Sequence, residues 1–319
     1  MIISASYKTD IPTFYGEWFR NRLRAGFCKM ANPFNRDQRF TISLRREDVD
    51  GFVFWTKNLA PFMNVLDEVH ERGFPFIVQY TINGYPRALE SRVVDAARSV
   101  EHFRSVADKF GCRVAIWRYD TIILSTLTDI DFHRRNFDRL ASQLAGATDE
   151  AVVSFMQLYD KTQRNMDEAA HRDGFEWEDP PAEAKRSLLR DLMEIAGGHK
   201  MRLTICTQPD LVVPGIGEAR CIDGPRLMDL AGRPFRAKLK GMREGCGCFE
   251  SKDIGDYDTC PHGCVYCYAV RRREVALRRH QGHDPEGEYL FPQGPEPPDP
   301  EPAERDARDQ LPLFPDNDR

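Results

Sequence analysis

The sequence predicts an α/β fold built on a parallel sheet, and three observations support this prediction. Six short segments are apolar at almost every position, as strands buried on both faces are. Longer segments of helical composition separate them, and such alternation requires parallel strands joined by right-handed crossovers. The 319 residues, 41% hydrophobic and 30% charged, are enough for one large domain with a full core.

The predicted strands end in polar residues, and the predicted helices lie between them. The strands cover residues 2–6, 51–56, 76–81, 113–118, 151–158 and 202–207. The helices cover residues 13–25, 60–72, 89–110, 131–144 and 182–196. Six strand–helix units are too few for a standard eight-fold barrel, so a partial barrel and an open doubly wound sheet both fit the pattern.

Composition divides the chain into three parts. Residues 1–245 hold the strand–helix units and a loop-rich connector, and residues 246–283 hold five of the nine cysteines. Residues 284–319 carry eleven acidic and three basic residues among many prolines, which predicts a disordered tail. The net charge is −5, so the rest of the chain is mildly basic, which neither requires nor excludes a nucleic-acid partner.

Targeting and nucleotide-binding signals are missing from the sequence. No run of eighteen apolar residues and no signal-peptide pattern occurs, so we expect a cytoplasmic protein without a membrane partner. Neither of the common glycine-rich phosphate-binding signatures follows a predicted strand, which argues against a nucleotide-dependent dehydrogenase or a P-loop enzyme.

Polar side chains follow the predicted strands, and the carboxyl ends of parallel strands form the ligand face of such folds. We predict catalytic roles for Lys57, Arg118 and Asp120. The side chains expected to bind a cofactor are Asp10, Asn58, Asn83 and Tyr266. The alternative for each is an ordinary role as a cap, a loop residue or a member of an internal ion pair.

The cysteine-rich segment ends in Cys260-x3-Cys264-x2-Cys267, with the aromatic Tyr266 before the last cysteine. Three thiolates at this spacing can bind three irons of a cubane cluster and leave the fourth iron open to another ligand. Gly263 allows a tight turn at this point.

This motif resembles the signature of the radical S-adenosylmethionine enzymes. The resemblance implies a [4Fe-4S] cluster on Cys260, Cys264 and Cys267, with S-adenosylmethionine on the open iron. It also implies a 5′-deoxyadenosyl radical as the reactive species and a partial (β/α)6 barrel as the fold. In that superfamily the motif usually follows the first strand, whereas here it follows the last predicted one, so the C-terminal segment must fold back over the barrel mouth.

Other roles for the cysteines stay open. Cys246 and Cys248 are candidate further metal ligands. They could join Cys264 and Cys267 in a closed zinc site, or one of them could complete a closed four-thiolate iron–sulphur cluster. The cysteines outside this segment are expected to be small buried hydrophobic residues: Cys28, Cys112, Cys206 and Cys221.

Most of the chain resembles an uncharacterised bacterial family, domain of unknown function 1848. The matching stretches are SASYKTDIPTFYGEWF, VFWTKN, WRYD and CGCFESKDIGDYDTCPHGCVYCYA. The resemblance implies a barrel with a cluster-binding segment and no particular reaction.

Two features near the C-terminus indicate partners. Residues 271–280 form a predicted helix with a basic face, which is either a solvated surface or a patch for phosphates. Gln310, Leu311, Leu313 and Phe314 resemble the motif by which bacterial proteins bind the sliding clamp.

These features lead to two hypotheses. The first is a radical S-adenosylmethionine enzyme, supplied by an unidentified reductant, that acts on DNA lesions or modified bases near the clamp. The second is a non-enzymatic DNA accessory protein, tethered to the clamp, with a structural iron–sulphur or zinc centre.

Overall fold

The computed structural model describes residues 1–32, 35–241 and 245–291. The clamp-like motif with Gln310, Leu311, Leu313 and Phe314 lies outside these residues. The strands are β1 (Ile2–Ala5), β2 (Phe27–Asn32), β3 (Asn35–Ser43), β4 (Gly51–Thr56), β5 (Phe76–Thr81), β6 (Ala115–Ile122), β7 (Leu124–Ser125), β8 (Glu150–Phe155), β9 (Trp177–Glu178), β10 (Arg202–Ile205), β11 (Gly217–Glu218) and β12 (Ser251–Asp253). The helices are α1 (Ile11–Phe14), α2 (Gly16–Ala25), α3 (Met63–Glu71), α4 (Ala96–Phe110), α5 (Ile130–Leu144), α6 (Asp160–Asp173), α7 (Ala182–Gly198), α8 (Gly224–Ala231) and α9 (Arg273–Gln281).

Eight strands form one sheet in the order β12-β1-β4-β5-β6-β8-β10-β11, and every pair is parallel. The six predicted strands and the parallel α/β class are therefore confirmed. Apart from β12, the strands follow one another in chain order across the sheet. All their carboxyl ends lie along one edge, where the polar residues that follow the strands collect.

The two faces of the sheet bury different clusters, because side chains alternate along each strand. One face packs against the helices and includes the large aromatic residues Phe52, Phe54 and Trp117. The opposite face, called here the inner face, buries one apolar cluster to which most of the strands contribute: Ile2, Val53, Ile77, Ile116 and Val152.

Helix α8 covers the inner face near the amino ends of the strands. Its Leu227 belongs to the inner cluster and lies against Gly51, at the start of β4. Its Arg226 is buried and forms ion pairs with Asp149 at 2.8 Å and Glu150 at 2.7 Å.

The structure differs from the predicted elements where the sequence signals compete. The predicted helix 89–110 begins only at Ala96, and residues 82–95 form an irregular segment that contains Pro86. The hairpin β2–β3, helices α6 and α8 and the strands β11 and β12 were not predicted.

The beginning of the acidic tail packs against the body instead of being disordered. The backbone amide of Lys29 donates to the carbonyl of Glu288 at 2.8 Å, and the two side chains form an ion pair. The Trp18 indole donates to the carbonyl of Gly287 at 2.9 Å. The packed chain therefore extends through Phe291 and past the predicted boundary at residue 284.

Within the described ranges, no helix is both long and apolar enough to cross a membrane.

One buried histidine in α5 makes the fold sensitive to acid. His133 is fully buried, and its Nε2 donates to the carbonyl of Ile123 while its Nδ1 accepts from the Tyr119 hydroxyl, both at 2.8 Å. Burial lowers the pKa of His133 to about 4. In the unfolded chain its pKa is about 6.5.

We therefore expect His133 to weaken the fold as the pH falls from 6.5 to 4, because only the unfolded chain takes up the proton. The expected loss is about 3 kcal/mol of unfolding free energy. Urea denaturation across this pH range measures it. The slope against pH should be smaller in His133→Gln and unchanged in the control His171→Gln, whose side chain is exposed. Equal slopes in His133→Gln and the unmodified protein would contradict the prediction.

Candidate functional site

Strand β12 attaches the cysteine-rich segment to the start of the chain. Ser251–Asp253 pairs in parallel with Ile2–Ser4, so the chain after Asp253 emerges at the carboxyl edge of the sheet. The Asp253 carboxylate accepts from the hydroxyls of Ser4 and Ser6, both at 2.8 Å, and from the backbone amide of Tyr7 at 3.1 Å. Asp253 thus locks the end of β12 to the end of β1.

Residues 254–270, called here the cysteine loop, cross the carboxyl edge and run along residues 89–92. The backbone amide of Val265 donates to the carbonyl of Leu89, and that of Arg92 donates to the carbonyl of His262, both at 3.1 Å. Gly263 has a φ of 72°, which confirms the predicted tight turn before Cys264. The cysteine loop therefore packs against residues 82–95, the irregular segment that replaces the start of the predicted helix.

A buried polar network lies where the loop meets strands β4 and β5. The Lys57 ammonium contacts the Glu90 carboxylate at 2.8 Å and the Tyr266 hydroxyl at 3.2 Å. The Tyr266 hydroxyl donates to Glu90. The Asn83 amide donates to Glu90 at 3.0 Å, so three side chains from different segments converge on one carboxylate.

The charges in this network are fixed by their neighbours. Burial disfavours the Glu90 carboxylate, but the Lys57 ammonium holds its pKa below the usual range. Burial likewise disfavours the Lys57 ammonium, but Glu90 and the nearby Cys264 raise its pKa. Burial and then the charge of Glu90 raise the pKa of Tyr266, so this phenol stays a hydrogen donor.

A second pair connects the loop to the start of the chain. The Asp10 carboxylate meets Nε2 of His262 at 2.7 Å and accepts from the backbone amides of Lys57 at 2.7 Å and Thr13 at 2.9 Å. Asp10 therefore joins β1, β4 and the cysteine loop. Asn58 lies nearby, where its side-chain oxygen accepts from the backbone amide of Ala60 at 3.1 Å.

Arg118 and Asp120 form a separate pair on the inner face. Two nitrogens of Arg118 contact the same Asp120 oxygen, at 3.0 and 2.5 Å. The Ser154 hydroxyl donates to Asp120, whose backbone amide donates to Asn83 at 2.9 Å. This pair adjoins the Lys57 network through Asn83, so Lys57, Asn83, Tyr266, Arg118 and Asp120 do come together.

The three cysteines of the motif lie beside this network. Cys264 interacts electrostatically with Lys57, Cys267 and Cys260, and burial raises the pKa of its thiol. The backbone amide of Ala269 donates to the sulphur of Cys267 at 3.4 Å. Three neighbouring thiols with an adjacent cation and an amide donor fit a multi-iron cluster, whose sulphur ligands belong to different irons. Within the described part of the chain, no three His, Cys, Asp or Glu side chains are already placed to hold a metal ion.

The structure places Cys246 and Cys248 away from that motif. Cys248 interacts electrostatically with Cys246 and Cys221, and the Cys221 sulphur lies 3.4 Å from the Cys206 sulphur. Cys206 and Cys221 are buried in an apolar cluster as predicted, but they lie together and not singly. Cys28 is buried, whereas Cys112 is exposed.

The predicted basic helix exists as α9, but part of its charge is used internally. Arg271, just before the helix, pairs with Asp258 at 3.0 Å, and Arg279 donates to the carbonyl of Tyr257 at 2.8 Å. Arg272 and Arg278 are exposed. These contacts fasten α9 to the cysteine loop.

Three residues of the site were not found from the sequence: Glu90, Asp253 and His262. His262 lies inside the motif, which is a signal that could have been used. Glu90 lies in a segment that resembles a helix, and Asp253 lies in a strand of three polar residues, so neither position had a distinguishing pattern.

Comparison with known families assigns the chain to a family but gives no activity for it. The model of a family described as domain of unknown function, DUF1848, matches residues 2–269, so the chain belongs to that family. No curated protein and no solved structure matches the chain.

Gly255 allows the cysteine loop to approach β1. A Cβ atom at this position would collide with the Ser6 side chain. We expect Gly255→Ala to lower the free energy of unfolding by about 2 kcal/mol, as overpacking does. The control Gly197→Ala in α7, where a Cβ meets nothing within 4 Å, should instead stabilise the protein slightly. Equal effects of the two substitutions in urea denaturation would contradict the close approach.

The Lys57–Glu90 pair is expected to show the energetics of a buried ion pair. Lys57→Met leaves a carboxylate buried without its cation and should cost about 3 kcal/mol of unfolding free energy. The double variant Lys57→Met/Glu90→Gln should lose less than Lys57→Met alone. As a control, Lys109→Met removes a half-exposed pair with Asp67 and should cost below about 1 kcal/mol. Denaturation of the metal-free protein checks all three, and a loss in the double variant that equals or exceeds the loss in Lys57→Met would refute the coupling.

Proposed function

We propose that this protein is an iron–sulphur enzyme of the radical S-adenosylmethionine type. Cys260, Cys264 and Cys267 would hold a [4Fe-4S] cluster. When bound, this cluster supplies one electron to S-adenosylmethionine, whose reductive cleavage gives a 5′-deoxyadenosyl radical. The carrying observation is that the motif follows β12, which is late in the chain but stands beside β1 at the edge of the sheet.

This placement supports the resemblance despite the late position of the motif. In spatial order, β12 comes before β1, β4, β5, β6 and β8, so the motif follows the first strand of the series. We propose that the sheet is a partial barrel, since strands from β1 to β8 share one buried cluster on the inner face. The cysteine loop would then lie at the mouth of the barrel.

The residues around the motif have distinct expected roles in this proposal. The Lys57 ammonium places a positive charge beside Cys264, which favours the thiolate that binds iron. Asp10 holds His262 and the backbone amide of Lys57, so its expected contribution is to position the loop. Asn83 and Tyr266 present polar groups beside the cluster site for S-adenosylmethionine, while Asn58 supports the turn after β4.

Arg118 and Asp120 are the proposed substrate-facing pair. Arg118 is buried, and although burial disfavours its charge, Asp120 raises its pKa well above the usual range. A permanently charged guanidinium with a bound carboxylate can orient a polar substrate. Asn83 links Asp120 to Glu90 of the Lys57 network, and this link supports a substrate site near the proposed cluster.

The substrate part of the proposal is a DNA lesion or modified base, in a reducing cytoplasm that supplies the electron donor. It is supported by the exposed Arg272 and Arg278 beside the cysteine loop and by the clamp-like residues at 310–314. A base would have to leave the stack to reach a site at the barrel mouth.

Anaerobic reconstitution with iron and sulphide tests the proposal. We expect about four irons per chain and a reduced-cluster electron paramagnetic resonance spectrum that changes when S-adenosylmethionine is added. The reduced protein should release 5′-deoxyadenosine. Cys264→Ser should abolish both signals, while Cys112→Ser, which changes an exposed cysteine, should keep them.

Two results would overturn this proposal. Cofactor cleavage that persists in Cys264→Ser would show that the motif is not the reactive centre. A spectrum indifferent to S-adenosylmethionine in the intact protein would support the alternative, a clamp-tethered DNA accessory protein with a structural centre.

A further inference from the structure

Four cysteines form a continuous group on the inner face, separate from the C-terminal motif. This thiol row consists of Cys206, Cys221, Cys248 and Cys246. The sulphurs of Cys206 and Cys221 are 3.4 Å apart, and Cys248 interacts electrostatically with both Cys221 and Cys246. Cys206 and Cys221 come from the connector after β10, and Cys246 and Cys248 come from the start of the cysteine-rich segment. In the sequence, 24 residues lie between Cys221 and Cys246.

We infer that the thiol row binds one zinc ion through all four sulphurs. Zinc in structural sites is bound tetrahedrally by four cysteines, with bonds of about 2.3 Å that place the sulphurs about 3.8 Å apart. The observed separation of 3.4 Å between Cys206 and Cys221 is close to that edge. Sulphurs bound to different irons of a cluster lie farther apart, so Cys206 and Cys221 are close enough to share one metal ion.

The surroundings of the row suit a metal–thiolate centre. Zinc with four thiolates carries two negative charges, and the Arg118 guanidinium lies 3.0 Å from the Cys221 sulphur. The backbone amide of Ile222 points at the Cys248 sulphur at 3.5 Å. Charge compensation and amide–sulphur hydrogen bonds are the usual outer contacts of such centres.

Burial supports the same conclusion. Cys206, Cys221 and Cys248 belong to the inner apolar cluster, and Cys246 packs against it. The row is not yet a tetrahedron, because no three such side chains in the described part of the chain hold a common point. Binding therefore requires side chains of the row to turn toward one ion, with Cys206 and Cys221 staying close enough to share it. The zinc would then fasten the connector after β10 to the inner face.

This inference does not depend on the proposed function, and the test keeps the two apart. The full-length variant Cys260→Ser/Cys264→Ser/Cys267→Ser has no cluster motif. Purified without oxygen, it should still contain about one zinc per chain by elemental analysis. Adding Cys221→Ser or Cys248→Ser should lower the zinc content at least about tenfold. Adding Cys28→Ser or Cys112→Ser should leave the content unchanged.

A measurement on the unmodified protein covers the case in which a variant fails to fold. X-ray absorption at the zinc edge should show four sulphurs at about 2.3 Å. Alkylation followed by peptide mapping should leave the four cysteines of the row unmodified until a chelator removes zinc, whereas Cys112 should react at once.

Loss of zinc from the variant without the cluster motif would overturn the inference, and so would nitrogen or oxygen ligands at the zinc edge. Equal alkylation of the row with and without chelator would also overturn it. A Cys206–Cys221 disulphide in the native protein would do the same.

Discussion

The candidate site depends on the pairing of a three-residue strand near the C-terminus with the first strand of the chain. Asp253 holds this pairing by accepting hydrogen bonds from Ser4, Ser6 and the backbone of Tyr7. The pairing sets the point at the sheet edge from which the cysteine loop starts. Pairing two strands that are far apart in the chain costs conformational entropy. The hydrogen bonds that the buried Asp253 carboxylate accepts offset part of this cost.

The loop is fixed a second time by charge. Burying Lys57 and Glu90 separately would be unfavourable, and each is tolerated because the other is present. Tyr266 belongs to the motif segment and donates to the same carboxylate, so the motif completes a network that the body leaves incomplete. Lys57 and Glu90 of the body and Tyr266 of the cysteine loop thus form one hydrogen-bonded network.

Parts of this arrangement follow from the sequence and other parts do not. The long strands were predictable because Phe52–Phe54 and Val152–Val153 belong to continuous buried runs. The turn at Gly263 was predictable because only glycine adopts a positive φ without strain. The strand Ser251–Asp253 was not, since it is short, polar and stabilised by a partner 249 residues away.

Contacts between side chains that are far apart in the sequence could not be predicted from it either. Cys206 and Cys221 each stand alone in the sequence, and their contact arises from the parallel sheet and the connector that follows β10. Glu90 lies in a segment whose periodicity resembles a helix, and its role arises from contacts with Lys57 and Tyr266. Tertiary contacts of this kind override local pattern.

The order of the strands also has a consequence for synthesis on the ribosome. The edge of β1 stays open until residues 251–253 have been made, because its outer neighbour is β12. At translation rates of 5–20 residues per second this interval is about ten seconds or more. During that time the edge of β1 is available to other chains, whereas in the finished chain β12 covers it.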